Sequence, residues 1–127
     1  MKYGLLMPLT FQSIDKNIEL YDHETIVNEN NTRLIGFGRY AGIVGAYNGI
    51  RAFGLKYEIF NLPKAENLTS QDALIQQLKK QFLPPIKIVL SGKGKVAMGA
   101  KEMLDGMKIK EVSVENYLST TYTYPVY

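Results

Sequence analysis

Apolar and polar residues alternate in twos early in this chain and recur at threes and fours later, and the change of period divides it into elements. From Asn17 the run Ile18, Glu19, Leu20, Tyr21 alternates, and Arg33, Leu34, Ile35, Gly36, Phe37 alternates again beyond the polar cluster Asn28, Glu29, Asn30, Asn31. Alternation on both sides of a turn signal predicts a β-hairpin, with residues 17–27 pairing with 32–38. Residues 1–13 have no clear period and read as a strand or an irregular lead-in. From Arg39 to Tyr57 the spacing lengthens: Ile43, Tyr47, Ile50 and Phe53 recur at three and four, which predicts a long helix. Residues 61–67, with Pro63, read as a loop. A second helix is expected from Thr69, which has Asp72 at capping-box spacing. Leu74, Ile75, Leu78 and Phe82 would form its apolar face, and it should end before Pro84 and Pro85, because a residue preceding proline is pushed out of the helical region.

The long helix carries Gly42, Gly45 and Gly49 among Ala41, Ala46 and Ala52, a stripe of small residues. Each glycine inside a helix costs roughly 0.5 to 1 kcal/mol relative to alanine. Something approaching the backbone closely would offset that, either a packed helix or strand or a ligand lying on the stripe. Arg39, Arg51 and Lys56 around it rule out a membrane-embedded helix dimer.

Beyond the proline pair, Ile86, Lys87, Ile88, Val89, Leu90 is a β-branched run of the kind found in buried parallel strands. It leads into Gly92, Gly94 and Ala97, which satisfy a Gly-x-Gly-x-x-Gly/Ala pattern. In that pattern the first glycine permits a tight turn, the second lets the backbone approach a pyrophosphate, and the third small residue packs helix on strand. Val96, Ala100, Met103, Leu104 and Met107 follow at helical spacing, so the turn would open a helix whose positive end faces phosphate, with Gly106 and Lys108 suited to its C-terminus. Glu111, Val112, Ser113 and Val114 read as a second strand, and Glu115 stands 23 residues beyond Gly92. A carboxylate at about that distance suits a ribose 2′-hydroxyl and repels a 2′-phosphate, which favours NAD over NADP; Asn116 is the competing occupant. Lys93 and Lys95 either add charge to a phosphate site or are solvated surface. His23 lies between Asp22 and Glu24 without an obvious acid-base partner, and no metal-ligand or hydrolytic constellation is present.

Composition narrows the picture without redirecting it. With 127 residues, 46% of them hydrophobic, the chain suits one globular domain. A net charge of +3 with scattered lysines and arginines argues against nucleic acid. There are no cysteines, and the first nine residues hold neither a signal peptide nor a membrane span, so a soluble, cytoplasmic protein is expected.

Phe37, Gly38, Arg39, Tyr40, Ala41, Gly42, Ile43, Val44, Gly45, Ala46 resembles the segment that opens the interdomain helix in lysine-forming saccharopine dehydrogenases and their relatives, and the glycine turn follows at the expected remove. The resemblance runs from about Ile18 to Glu115. It implies the architecture shared with alanine dehydrogenase, in which a substrate domain and a Rossmann domain are joined by long helices. The expected fold class is then α/β: a partial Rossmann-like nucleotide-binding unit preceded by a β-hairpin and a long glycine-rich interdomain helix. Residues 1–38 would be a remnant of the substrate domain, 39–84 the interdomain helices and linker, and 85–127 the first, incomplete β-α-β part of the NAD-binding domain. The resemblance implies that Gly92, Gly94 and Ala97 form the pyrophosphate turn and that Glu115 or Asn116 meets the ribose. The family's catalytic lysine and histidine find no match here. The expectation is therefore a fragment of an NAD-dependent amino-acid oxidoreductase that is inactive alone, with an amino-acid substrate only in an intact relative. An alanine dehydrogenase-like fragment and a non-catalytic nucleotide-binding or interaction module are the alternatives. Ile88, Val112 and Val114 would lack neighbours in a half-unit, which predicts self-association through exposed strands.

Overall fold

The computed structural model describes residues 15–19 and 21–127; the lead-in expected at 1–13 lies outside them. The chain divides into two compact units, Met1–Gly36 and Phe37–Tyr127.

In the first unit, short side chains take the backbone amides that a strand ladder would need. The Asp22 carboxylate accepts from the Glu24 amide at 2.9 Å and caps the 3-10 turn His23–Thr25. Asn28 Oδ1 accepts from the amides of Asn30 at 3.0 Å and Thr32 at 2.9 Å, reversing the chain where the polar cluster predicts a turn. The expected hairpin strands do not form: one antiparallel bridge, Val27 to Arg33, joins the two sides. Every described residue from 15 to 36 is exposed, so no buried face holds a longer register.

The second unit is built on helices α1 (Gly38–Lys56), α2 (Gln71–Lys79), α3 (Lys95–Gly106) and α4 (Val114–Ser119), with a 3-10 turn at Ala65–Asn67. The close approach demanded by the glycines of α1 is a helix crossing. A Cβ at Gly42 would lie 1.9 Å from the Val96 carbonyl oxygen, and one at Gly99 would lie 1.9 Å from the Arg39 carbonyl oxygen. Each helix thus offers a glycine to the other's backbone. At the same crossing Arg39 reaches Glu102 through two hydrogen bonds of 2.8 and 2.5 Å, and Gln71 at the head of α2 accepts from Arg39 at 3.3 Å.

Below the crossing, Ile43, Tyr47 and Ile50 of α1 bury against Leu74 and Leu78 of α2, Met103 and Leu104 of α3, and Leu62. A fully buried side chain such as Leu78 stabilises the fold by about 1.5 to 3 kcal/mol. Burying Tyr47 carries its hydroxyl inside, where it donates to the Pro63 carbonyl at 2.8 Å; Arg51 Nε donates to the Leu62 carbonyl at 2.9 Å. Two successive loop carbonyls are therefore held by α1. α2 is capped by Ser70, whose Oγ accepts from the Ala73 amide at 3.1 Å, one residue later than the Thr69 cap expected. α3 ends with Lys108 at φ +63°, while Gly106 is still helical, and a Cβ there would sit 2.7 Å from Ile75 Cδ1.

The α/β class and its Rossmann sheet are corrected: the described residues form helices, turns and isolated bridges, and no sheet. The β-branched run at 86–90 is extended but meets one bridging residue, Val126, which also bridges Lys110; both pairings are parallel. Pro125 before Val126 has no N–H, and the Ile86 amide turns back to the Pro84 carbonyl at 2.7 Å, so the Lys87–Val126 pairing does not extend backwards along the chain. The expected second strand at 111–114 also fails, because Ser113 Oγ accepts from the Asn116 amide at 3.2 Å and starts α4 there.

Candidate functional site

The glycine turn lies where the sequence places it, at the head of α3, and its small residues have separate physical reasons. Gly92 takes φ +95°, a conformation that side-chain-bearing residues rarely adopt. Gly94 is the N-cap of α3, with extended backbone and no side-chain hydrogen bond to the helix's first amides. A Cβ on Gly94 would meet nothing within 4 Å, so the approach to that helix end is open. Ala97 closes the turn, its Cβ 3.9 Å from where a Cβ on Gly92 would stand. A helix end of this kind presents N–H groups and partial positive charge.

Gly92, Lys93 and Ala97 line a cleft of about 730 Å³ together with Val114, Tyr117 and Leu118 of α4. Gly94 and Glu115 do not line it. Glu115 stands exposed in the first turn of α4, so the position expected at a strand end is helical. Lys95 is the first residue of α3 and is exposed, and His23 belongs to the other unit.

Deeper along α3, Lys101 lines the same cleft with Glu111 and Tyr127. Its ammonium donates to Glu111 at 2.5 Å and to the Tyr127 hydroxyl at 2.7 Å, while that hydroxyl donates to Asp105. Acceptance by Glu111, then by Tyr127, holds the Lys101 ammonium above its ordinary range. Burial, then its bond to Asp105, pushes the Tyr127 phenol up as well. At neutral pH the lysine is protonated and the phenol neutral, each hydrogen-bonded to a carboxylate, which is a satisfied network rather than a poised base. Nothing in the pattern of the sequence pointed to it. The one local signal is the spacing of Lys101 and Asp105, whose charges lie 3.5 Å apart.

A glycine turn that opens a helix beside a cleft is an arrangement of the kind that binds phosphate-bearing ligands, and sequence comparison says which proteins the chain is similar to. The chain is 24% identical over 142 residues to the rat mitochondrial alpha-aminoadipic semialdehyde synthase, an alignment covering 91% of this chain and 15% of that protein. It is 26% identical over 153 residues to the Arabidopsis thaliana alpha-aminoadipic semialdehyde synthase, covering 95% of this chain and 14% of that protein. Similarity to the saccharopine dehydrogenase [NAD(+), L-lysine-forming] of Candida glabrata is 26% over 112 residues, 80% of this chain and 30% of that protein. No family profile matches the chain. The likeness to saccharopine dehydrogenases and their relatives is thus borne out, and the chain's relatives are saccharopine dehydrogenase-like oxidoreductases. The chain spans about a seventh of the length of the semialdehyde synthases. Among the described residues, no helix is long and apolar enough to cross a membrane.

Proposed function

We propose that this chain supplies the phosphate-gripping end of an NAD site in a saccharopine dehydrogenase-like oxidoreductase. The observation that carries the proposal is the conformation of the turn. Gly92 at φ +95° brings the chain round, and Gly94 leaves open space over the uncapped first turn of α3. Amides there would bind phosphate oxygens, and Lys93 on the cleft wall would add charge. Ala97 keeps the turn packed against its own helix. On sequence distance alone, Glu115 or Asn116 would be the ribose acceptor, with Glu115 the one that disfavours NADP; Glu115 itself does not line the cleft.

The cofactor, when bound, supplies a hydride acceptor at its nicotinamide ring; the protein's part is to hold and orient it. In a relative of full length the favoured reaction is oxidation of saccharopine to lysine and 2-oxoglutarate. This chain alone is expected to reduce no NAD with either saccharopine or alanine. A cytoplasmic location, inferred from the absence of cysteine, belongs to the same proposal; the rat relative is named as mitochondrial. Of Ile88, Val112 and Val114, named for self-association, the first two are half-buried and Val114, 77% exposed, stands on α4; the exposure of Val114 is what supports self-association of the isolated chain, and monomeric sedimentation over a wide concentration range would count against it.

The test is calorimetric titration of the chain with NAD, before and after Gly94→Asp. Aspartate is a preferred N-cap residue, so α3 should keep its stability or gain a few tenths of a kcal/mol. Meanwhile a carboxylate takes the place of the phosphate. The expected result is a loss of NAD binding with an unchanged or slightly raised melting temperature. Binding that survives the substitution, or that the unsubstituted chain lacks, overturns the proposal.

A further inference from the structure

We infer that a second pocket, between α1 and the loop that leads into the 3-10 turn, holds the carboxylate of a small organic acid. The pocket has a volume of about 510 Å³ and two walls. Val44, Asn48 and Arg51 fall at i, i+4 and i+7 along α1 and form one wall; Lys64, Ala65 and Glu66 form the other. None of the residues of the glycine turn line it, so the inference stands apart from the nucleotide reading.

Two hydrogen bonds hold the walls together. Tyr47 donates to the Pro63 carbonyl at 2.8 Å and Arg51 Nε to the Leu62 carbonyl at 2.9 Å, so the loop is fixed against α1 immediately before Lys64. The bond to Leu62 also orients the half-buried Arg51 guanidinium while using one of its five N–H groups. Among the described residues nothing accepts from its two terminal amino groups. A guanidinium held through Nε presents those groups end-on, as a planar fork that matches the two oxygens of a carboxylate. A fork already oriented loses little freedom on binding.

The groups around the fork narrow the ligand. Lys64 lies 3.6 Å from Glu66, so those two charges offset each other and the uncompensated charge in the pocket is that of Arg51. One positive charge suits one negative head group. The Asn48 side-chain amide, with no partner among the described residues, adds a neutral donor on the same wall. Val44 and Ala65 complete the lining with apolar surface, against which a short hydrocarbon body can lie and a bare phosphate cannot profit. The ligand class is a monocarboxylate of a few carbons.

The full chain can be titrated with butyrate, its neutral near-isostere butyramide, and inorganic phosphate, following the NMR signals of the Arg51 Nε–H and the Asn48 amide. Butyrate should shift both signals saturably, butyramide should shift neither, and phosphate should bind more weakly than butyrate. Arg51→Lys keeps the charge and loses the fork, and should weaken butyrate about tenfold or more. Because Arg51 also ties the loop, two variants at exposed positions that leave its bonds intact are read beside it. Lys64→Gln exposes the ligand to Glu66 and should weaken butyrate about twofold to fivefold; Glu66→Gln frees Lys64 and should strengthen it by a similar factor. Gly94→Asp should leave butyrate binding unchanged, whatever it does to NAD. The inference is overturned if butyrate gives no saturable shift, if butyramide binds as well as butyrate, or if Glu66→Gln fails to tighten binding. Phosphate binding as tightly as butyrate overturns the assignment to a carboxylate.

Discussion

The region of α1 around Gly42 and the region from Gly45 to Gly49 differ in what their glycines meet. At Gly42 the helix crosses α3 backbone to backbone, and there is no room for a single methyl. Three residues on, a Cβ at Gly45 would meet nothing within 4 Å, and the same holds for Gly49, which lines an apolar groove of about 650 Å³ with Phe53, Ile88 and Leu104. One stripe of small residues, even in the sequence, therefore covers one site where glycine is required and two where the described structure shows only its cost to the helix. The lesson is that the spacing of small residues says where an approach is permitted, whereas contact says where it occurs.

The sharpest way to break that comparison is to add the same methyl group at each position. Gly42→Ala forces either Val96 or the helix axis to move, and overpacking against backbone should destabilise the chain by about 3 kcal/mol or more, read by urea unfolding. Gly99→Ala should cost a similar amount for the reciprocal reason. If either is neutral, the crossing is looser than the distances imply. Next in size, Tyr47→Phe removes the donor to the Pro63 carbonyl inside the core and should cost about 1 kcal/mol without changing the crossing. Gly45→Ala and Gly49→Ala should run the other way, each stabilising by about 0.5 to 1 kcal/mol through helix propensity. A destabilising Gly49→Ala would mean that the groove is filled in solution.

The smallest effect sits at the crossing itself. The Arg39 guanidinium, more than the bond from Gln71, holds the Glu102 carboxyl below its ordinary value of 4.5. A carboxyl lowered in the folded state contributes stability above its unfolded pKa and loses it as pH falls through the folded one. The stability difference between the native chain and Glu102→Gln should therefore be flat from neutral pH down to about 4.5 and shrink only below it. Both side chains are more than a third exposed, so the difference should be small at any pH. A difference that grows on acidification would contradict the pairing.

The helices were legible because their signals are local. Ile43, Tyr47 and Ile50 mark α1, the glycine turn marks α3, and the proline pair bounds α2 from behind. The strands were not, because a strand exists only through a partner. The run at 86–90 has strand propensity, yet its one bridging neighbour, Val126, comes from far along the sequence and sits behind a proline. At 111–114 a local signal was present: Ser113 followed by Glu115 is a helix start, and Val114, Tyr117 and Leu118 have helical spacing. The alternation of valines hid it. For the site, Gly92, Gly94 and Ala97 could be read directly, since each answers a backbone demand. The contacts that shape the cleft around them, Lys101 with Glu111 and Tyr127 among them, join distant stretches and leave no period in the sequence.

The paired glycines Gly42 and Gly99 also constrain motion. Sliding α3 along α1 by one residue would push Cβ atoms into carbonyl groups on both helices, so the shear that packed helices commonly use is blocked here. α3 can rotate about the crossing or leave it, but it cannot creep.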